Sequence, residues 1–290
     1  MSWAGKIAVA NKIAAVANMN DKPKHATEEM HLVVRRITKF YGAPATQSAV
    51  HALGPLDIEC QKGEFLSVVG PSGCGKTTLL DIVAGLTEPS EGTVTFEGRR
   101  VVGEVPDGIG VVFQEDASFA WLNVTENIAF GLRREGVEAA EIARRVDYAI
   151  GFMGLREFRN AYPSQLSGGM RQRVCIARTL VLKPRLILLD EPFGALDQQT
   201  RLLMGEELLR LWRETGATVM LITHSLDEAA LLSDRVAVMS ARPGHLISIM
   251  KTNWPRERDS RLASDPNFGA FTGQLWALLR DESLKSLGRS

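Results

Sequence analysis

Gly70-Pro71-Ser72-Gly73-Cys74-Gly75-Lys76-Thr77 sets glycines, a lysine and a hydroxyl residue in a Gly-x4-Gly-Lys-Thr pattern, a combination suited to gripping a chain of phosphates. The glycines let the backbone turn its N–H groups inward as a nest. A helix beginning near Lys76 adds the positive end of its dipole at the same point. Lys76 then reaches the β- and γ-phosphates of a nucleotide, and the hydroxyl of Thr77, with Thr78 beside it, faces Mg²⁺ and phosphate. An ordinary glycine turn would account for the bend alone. The apolar run Phe65-Leu66-Ser67-Val68-Val69 before it and Thr78 to Leu86 after it supply the strand and helix that a phosphate loop requires.

A second segment brings acids. Leu186-Ile187-Leu188-Leu189-Asp190-Glu191-Pro192 runs four apolar residues straight into two carboxylates, at the C-terminal strand end where ligands gather in α/β sheets. Asp190 is placed to hold Mg²⁺, directly or through its water shell, and Glu191 to polarise an attacking water. Acids capping the following helix are the plainer account of the same pair. Between loop and acids lies Leu166-Ser167-Gly168-Gly169-Met170-Arg171-Gln172-Arg173. Its Ser-Gly-Gly turn opening a helix is either a simple N-cap or a second anion site built from the Ser167 hydroxyl and the Gly169 amide.

The elements that must carry these groups read as an α/β chain. Residues from about 30 to 69 alternate as turn-bounded strands, and Glu91 to Gly98 adds another. Gly108-Ile109-Gly110-Val111-Val112-Phe113-Gln114 is a short apolar strand ending in glutamine. Helical spacing follows over Glu138 to Met153 and Gln198 to Glu214, and the continuous apolar runs 186–189 and 217–222 between helices are the pattern of a buried parallel sheet. The last forty or so residues end in a helix over Phe271 to Leu279.

At 290 residues, with Lys plus Arg and Asp plus Glu at 34 each, the chain has no broad field for nucleic acid or an anionic membrane. Cys60, Cys74 and Cys175 form no C-x-x-C pair and leave an odd one over, which suits a reducing, cytosolic compartment. Cys74 is either an alkylatable thiol or a small residue fitting a tight loop. No run approaches the roughly eighteen apolar residues of a membrane span. Asn11-Lys12 interrupts the apolar N-terminal stretch, which reads as an Ala-rich helical tail, not a signal peptide.

Phosphate loop, Gln114, Leu-Ser-Gly-Gly-Met-Arg-Gln-Arg, the apolar-Asp-Glu-Pro run, Ala195-Leu196-Asp197 and His224 follow in an order that resembles the ATP-binding cassette (ABC) ATPases over roughly residues 31 to 245. The resemblance implies a P-loop, RecA-like core with an antiparallel β-subdomain and an inserted α-helical subdomain. It divides the chain into a flexible extension over 1–29, an ATP-binding domain over 30–249 with its helical subdomain at about 115–180, and a partly helical extension over 250–290. It implies ATP and Mg²⁺ as ligands and a head-to-tail dimer in which Ser167, Gly168 and Gly169 of one subunit close over the γ-phosphate held by Lys76 of the other. Gln114 then corresponds to the residue sensing Mg²⁺ and the lytic water, Asp197 to the inter-subunit loop, and His224 to a γ-phosphate switch. The aromatic that stacks on adenine corresponds to Tyr41, with Phe40 as the alternative.

Trp121-Leu122, Glu126-Asn127, Gly131-Leu132, Met170 and Ala241-Arg242-Pro243-Gly244 are similar to the ATPase subunits of nitrate, sulfonate and taurine importers. The chain departs from that pattern at Ala120, where proline is usual, and at Asn253-Trp254-Pro255-Arg256-Glu257. The resemblance implies a subunit on the cytoplasmic face of the inner membrane, paired with a second ATP-binding subunit in a homodimer or heterodimer. Two integral-membrane permease subunits would receive it through Phe119, Trp121, Leu122 and Phe130, and an extracytoplasmic binding protein would deliver a small anion. The alternative within the superfamily is an ATPase of DNA repair, chromosome maintenance or translation, which usually brings coiled coils, zinc-binding cysteines or a second cassette. A nucleotide-binding regulator without turnover is disfavoured by Glu191.

Overall fold

A computed structural model of the chain describes residues 30–42, 49–114 and 117–286. The expected N-terminal tail over 1–29 lies outside the described residues. In chain order the elements are β1 (Met30–Tyr41), β2 (Val50–Gln61), β3 (Phe65–Val69), α1 (Lys76–Val83), β4 (Glu91–Phe96), β5 (Arg99–Arg100), β6 (Ile109–Val112), α2 (Val124–Arg134), α3 (Ala139–Phe152), α4 (Gly168–Leu180), β7 (Leu186–Asp190), α5 (Gln198–Thr215), β8 (Thr218–Ile222), α6 (Leu226–Leu232), β9 (Arg235–Met239), β10 (Leu246–Lys251) and α7 (Pro266–Ser286).

The central sheet runs β10-β9-β3-β8-β7-β6, parallel except for β10. Its core strands β3, β7 and β8 are buried at every position because both faces are covered. Phe65, Val69, Ile187, Leu189, Val219, Leu221, Val236 and Val238 point into one apolar cluster with the helices of the 124–232 region. Their alternates Leu66, Val68, Leu186, Leu188, Met220, Ile222, Ala237 and Met239 point into a second, with α1 and the antiparallel sheet β2-β1-β4-β5. The result is a P-loop NTPase core with an antiparallel sheet on one side and α2 to α4 inserted between β6 and β7.

The last helix is longer than the apolar spacing over Phe271 to Leu279 indicates, because only its buried residues Phe268, Phe271, Leu275 and Leu279 carry the pattern. Those four join the helical-side core. Trp254 donates its indole N–H to the Ala230 carbonyl (2.8 Å), and the buried Arg258 guanidinium bonds the Leu231 and Leu232 carbonyls at 3.0 and 2.6 Å. These side chains satisfy the last carbonyls of α6, which a short helix otherwise leaves bare. The boundary expected at residue 249 falls inside β10.

Candidate active site

The phosphate loop turns between the C-terminal end of β3 and α1. Gly75 has φ 104°, a left-handed value that a side chain disfavours. A Cβ there would also stand 2.6 Å from Leu53 Cδ2 and 2.9 Å from the Ala52 carbonyl. Gly75 caps α1 with no side-chain bond, leaving the first N–H groups to an anion. The Lys76 ammonium is buried and donates to the Gly70 and Pro71 carbonyls at 2.9 and 3.0 Å. Pro71, Ser72 and Gly73 complete the turn, with Gly73 at φ 74° and open space where a Cβ would be. Cys74 is buried and its thiol pKa is pushed up chiefly by burial, so it is a small residue fitting a tight loop.

Sequence reasoning noted Gly244 only as a family mark, yet it is the floor of this loop. A Cβ at Gly244 would lie 2.0 Å from the Cys74 carbonyl oxygen. Its N–H donates to Ala52 (3.0 Å), and its carbonyl accepts from Gly54 (2.8 Å). The β9–β10 turn and β2 thereby clamp the loop from below.

At the end of β7, Asp190 is 3% exposed, and its Oδ1 is buried without a hydrogen-bond partner. The Thr77 hydroxyl lies beside this carboxylate and favours its charged form. Burial, with the charges of Glu191 and Asp81 adding to it, pushes the Asp190 pKa up against the Thr77 bond and Lys76. A desolvated carboxylate oxygen beside a threonine hydroxyl is a hard-oxygen set that fits Mg²⁺. Among the described residues no cluster of His, Cys, Asp and Glu makes a complete metal site, so such an ion would draw its other ligands from phosphate and water.

Glu191 has φ 45°, a conformation costing a non-glycine residue about 1–2 kcal/mol. The surroundings impose it: its N–H donates to Ile222 (2.9 Å) and its carbonyl accepts from Gly194 (3.1 Å). The carboxylate then meets two residues far away in the sequence. Gln114 Nε2 donates to Glu191 Oε2 at 3.0 Å, and His224 Nδ1 stands 3.2 Å from the same oxygen.

Tyr41 and Phe40 separate clearly. Tyr41 is 43% exposed and its hydroxyl donates to Thr78 Oγ1 at 3.3 Å, beside the loop. Phe40 is stacked on His51, 4.3 Å between ring centres. Tyr41 thus stands exposed beside the loop, with the Lys39 ammonium 5.1 Å from its ring centre.

Ser167 caps α4, its Oγ accepting from Met170 N–H at 3.3 Å. Gly168 follows as the first helical residue. A Cβ on Gly169 would lie 2.5 Å from Leu196 Cδ2, so this corner packs on the Ala195–Asp197 segment of the same chain. Asp197 caps α5 with both oxygens, accepting from Thr200 N–H (2.9 Å) and its hydroxyl (2.6 Å). Those bonds pull its pKa down.

Beyond Gln114, Phe119 packs against Trp121 and Phe130 at 5.4 and 4.6 Å, with the Arg178 guanidinium over its ring. Trp121 is 71% exposed. The sequence held a clue to what supports this surface in Asn127, a polar residue on the apolar face of α2. Fully buried, it accepts from Phe119 N–H and donates to the carbonyls of Phe119, Leu122 and Asn123.

The family described as ABC transporter matches residues 53–194. An uncharacterised ABC transporter ATP-binding protein of Methanocaldococcus jannaschii is 45% identical over 89% of this chain and 95% of its own length. A taurine import ATP-binding protein of Jannaschia is 40% identical over 89% and 97%, and a nitrate import ATP-binding protein of Synechocystis 38% identical over 87% and 96%. Among solved structures, a dimeric ATP-binding cassette in a post-hydrolysis state with ADP and Pi superposes with a TM-score of 0.70. It is 30% identical over 77% of this chain and all of its own. The chain belongs to the ABC transporter ATP-binding family and is an ATPase of the branch that holds the nitrate and taurine import subunits.

Proposed function

We propose that this ATPase is the energy-supplying subunit of an importer for a small anion of the nitrate, sulfonate or taurine kind. It works as a head-to-tail dimer on the cytoplasmic side of two permease subunits fed by an extracytoplasmic binding protein. The observation that carries its chemistry is the convergence of Gln114 and His224 on one oxygen of Glu191, beside the Asp190–Thr77 pair and Lys76.

In this scheme the Gly70–Thr78 segment grips the triphosphate and Tyr41 stacks on adenine. Thr77, Asp190 and Gln114 would hold Mg²⁺, which when bound would supply neutralisation of phosphate charge. Glu191 takes the proton of the attacking water, with Gln114 orienting both. Lys76 and His224 donate to the γ-phosphate oxygens as charge builds on them. Ser167, its O–H unspent by the cap, completes the site of the other subunit with Gly168 and Gly169, and Asp197 lies along the same interface. Phe119, Trp121, Leu122 and Phe130 form the surface on which a permease helix seats, a helix-in-groove contact.

The dimer arrangement is tested by mixing a Ser167→Arg subunit with a Lys76→Ala subunit. Each homodimer lacks two working sites, whereas the mixed dimer regains one, and nucleotide cross-linking should detect it. Absence of cross-linking in mixed dimers refutes the shared site. Glu191→Gln should slow turnover at least roughly a hundredfold while retaining ATP and accumulating dimers; unchanged turnover removes Glu191 from the base role.

A further inference from the structure

The turn that carries His224 is anchored by a half-buried ion pair. Glu228, in α6, has a side chain only 11% exposed, and Arg201, in α5, one 27% exposed, with Glu228 Oε1 and Arg201 Nε 3.3 Å apart. Glu228 Oε2 accepts the Thr223 hydroxyl proton at 2.6 Å, a short charge-assisted bond. Thr223 is 1% exposed, and its Oγ1 in turn accepts from Ser225 N–H at 3.0 Å. Ser225 Oγ accepts from Glu228 N–H at 3.2 Å. Both neighbours of His224 are therefore bound to Glu228 or to one another through it. The same Arg201 donates Nη2 to the Leu196 carbonyl at 3.1 Å, so a single guanidinium ties the Ala195–Asp197 segment to the His224 turn.

We propose that Glu228, braced by Arg201, is a positioning residue for His224. It holds the Thr223–Ser225 turn where the imidazole stands over Glu191, resting on the reading above that His224 acts at the γ-phosphate. His224 itself is 58% exposed. An exposed imidazole on a free turn would sample many rotamers, and catalytic geometry tolerates little displacement. The restraint must come through its backbone neighbours, and the described contacts supply it there. A half-buried ion pair adds little net stability against apolar residues of similar volume, so a purely structural role would leave a well-packed apolar replacement fully active.

The decisive experiment compares Thr223→Val with Thr223→Ser in the full chain, reading kcat, KM for ATP and thermal midpoint. Valine removes only the hydroxyl at nearly constant volume, and serine keeps it. Thr223→Val is expected to lose roughly tenfold or more in kcat with KM within about twofold, and Thr223→Ser to retain most of it. The apolar pair Arg201→Leu with Glu228→Leu avoids stranding a buried charge and should fold with a similar loss of kcat. In a His224→Ala background none of these changes should reduce turnover further, because the residue they position is gone. Full activity in the folded valine or double-leucine variant, or losses that multiply with His224→Ala, overturns the proposal. Unchanged turnover in His224→Ala alone overturns the role of His224, and the positioning role with it.

Discussion

Asp190→Asn separates metal binding from stability in a direction opposite to that of most active-site substitutions. The carboxylate is 3% exposed, one oxygen has no partner, and burial with the nearby Glu191 and Asp81 pushes its pKa up. An unsatisfied buried acceptor costs about 1–3 kcal/mol. Asparagine keeps a carbonyl oxygen beside Thr77 and removes the desolvated charge, so without nucleotide or metal a gain of about 1–2 kcal/mol is expected near neutral pH. For a chain of this size that raises the thermal midpoint by roughly 2–8 °C. The pH dependence has a definite sign. A carboxyl whose folded pKa is raised contributes its stability in full below the unfolded value of about 3.9 and loses it as pH climbs through the folded pKa. The asparagine advantage is therefore largest at about pH 8 and shrinks to nothing toward pH 4. Mg²⁺ and ATP reverse the ranking. Ligand at about a hundred times its dissociation constant stabilises the wild type by about 2.7 kcal/mol, and a variant that cannot hold the ion gains much less. Thermal unfolding in a chelator, and then with saturating Mg²⁺ and ATP, at pH values from 8 to 4 measures both effects. A variant that melts below the wild type in chelator at pH 8, or whose advantage persists undiminished to pH 4, refutes the assignment of Asp190 as a desolvated carboxylate awaiting a cation.

Gly244→Ala should weaken ATP binding by roughly tenfold or more, because its Cβ would sit 2.0 Å from the Cys74 carbonyl and the phosphate loop must shift; titration with a fluorescent nucleotide measures this. Asn127→Leu takes the side-chain partner from the Phe119 N–H and the Leu122 carbonyl, while the Phe119 and Asn123 carbonyls keep the Leu122 and Asn127 N–H groups, so a loss of about 1–3 kcal/mol is expected, together with faster hydrogen exchange at the Phe119 amide. Tyr41→Ala should weaken ATP about fivefold, whereas Phe40→Leu should change affinity little because its ring is already stacked on His51; the reverse order would move the adenine contact to Phe40.

Much of the site was legible in the chain because it is local. The phosphate loop, the Asp190-Glu191 pair and the Ser167-Gly168-Gly169 cap each depend on a few consecutive residues whose backbone needs, left-handed glycines and helix starts, are written in residue type. The two-faced burial of β3, β7, β8 and β9 was visible as nearly continuous apolar runs, since strands covered on both faces leave no polar side to interrupt them. Helix ends were less legible: α7 outruns its apolar spacing because its exposed residues carry no signal.

By itself, then, the sequence determined that a phosphate-loop motif and an Asp-Glu pair stand at strand ends of a parallel sheet. Only the tertiary structure decided that Gln114 and His224 share one oxygen of Glu191, that Gly244 supports the phosphate loop, and that Phe40 stacks on His51 while the Tyr41 hydroxyl reaches Thr78. It also revealed Glu228 and Arg201 behind the His224 turn. Each of those facts is a contact between residues remote along the chain, set by strand order and by what already occupies the space. No periodicity or short motif encodes such contacts, because they come into being only when the sheet and the helices covering it close on one another.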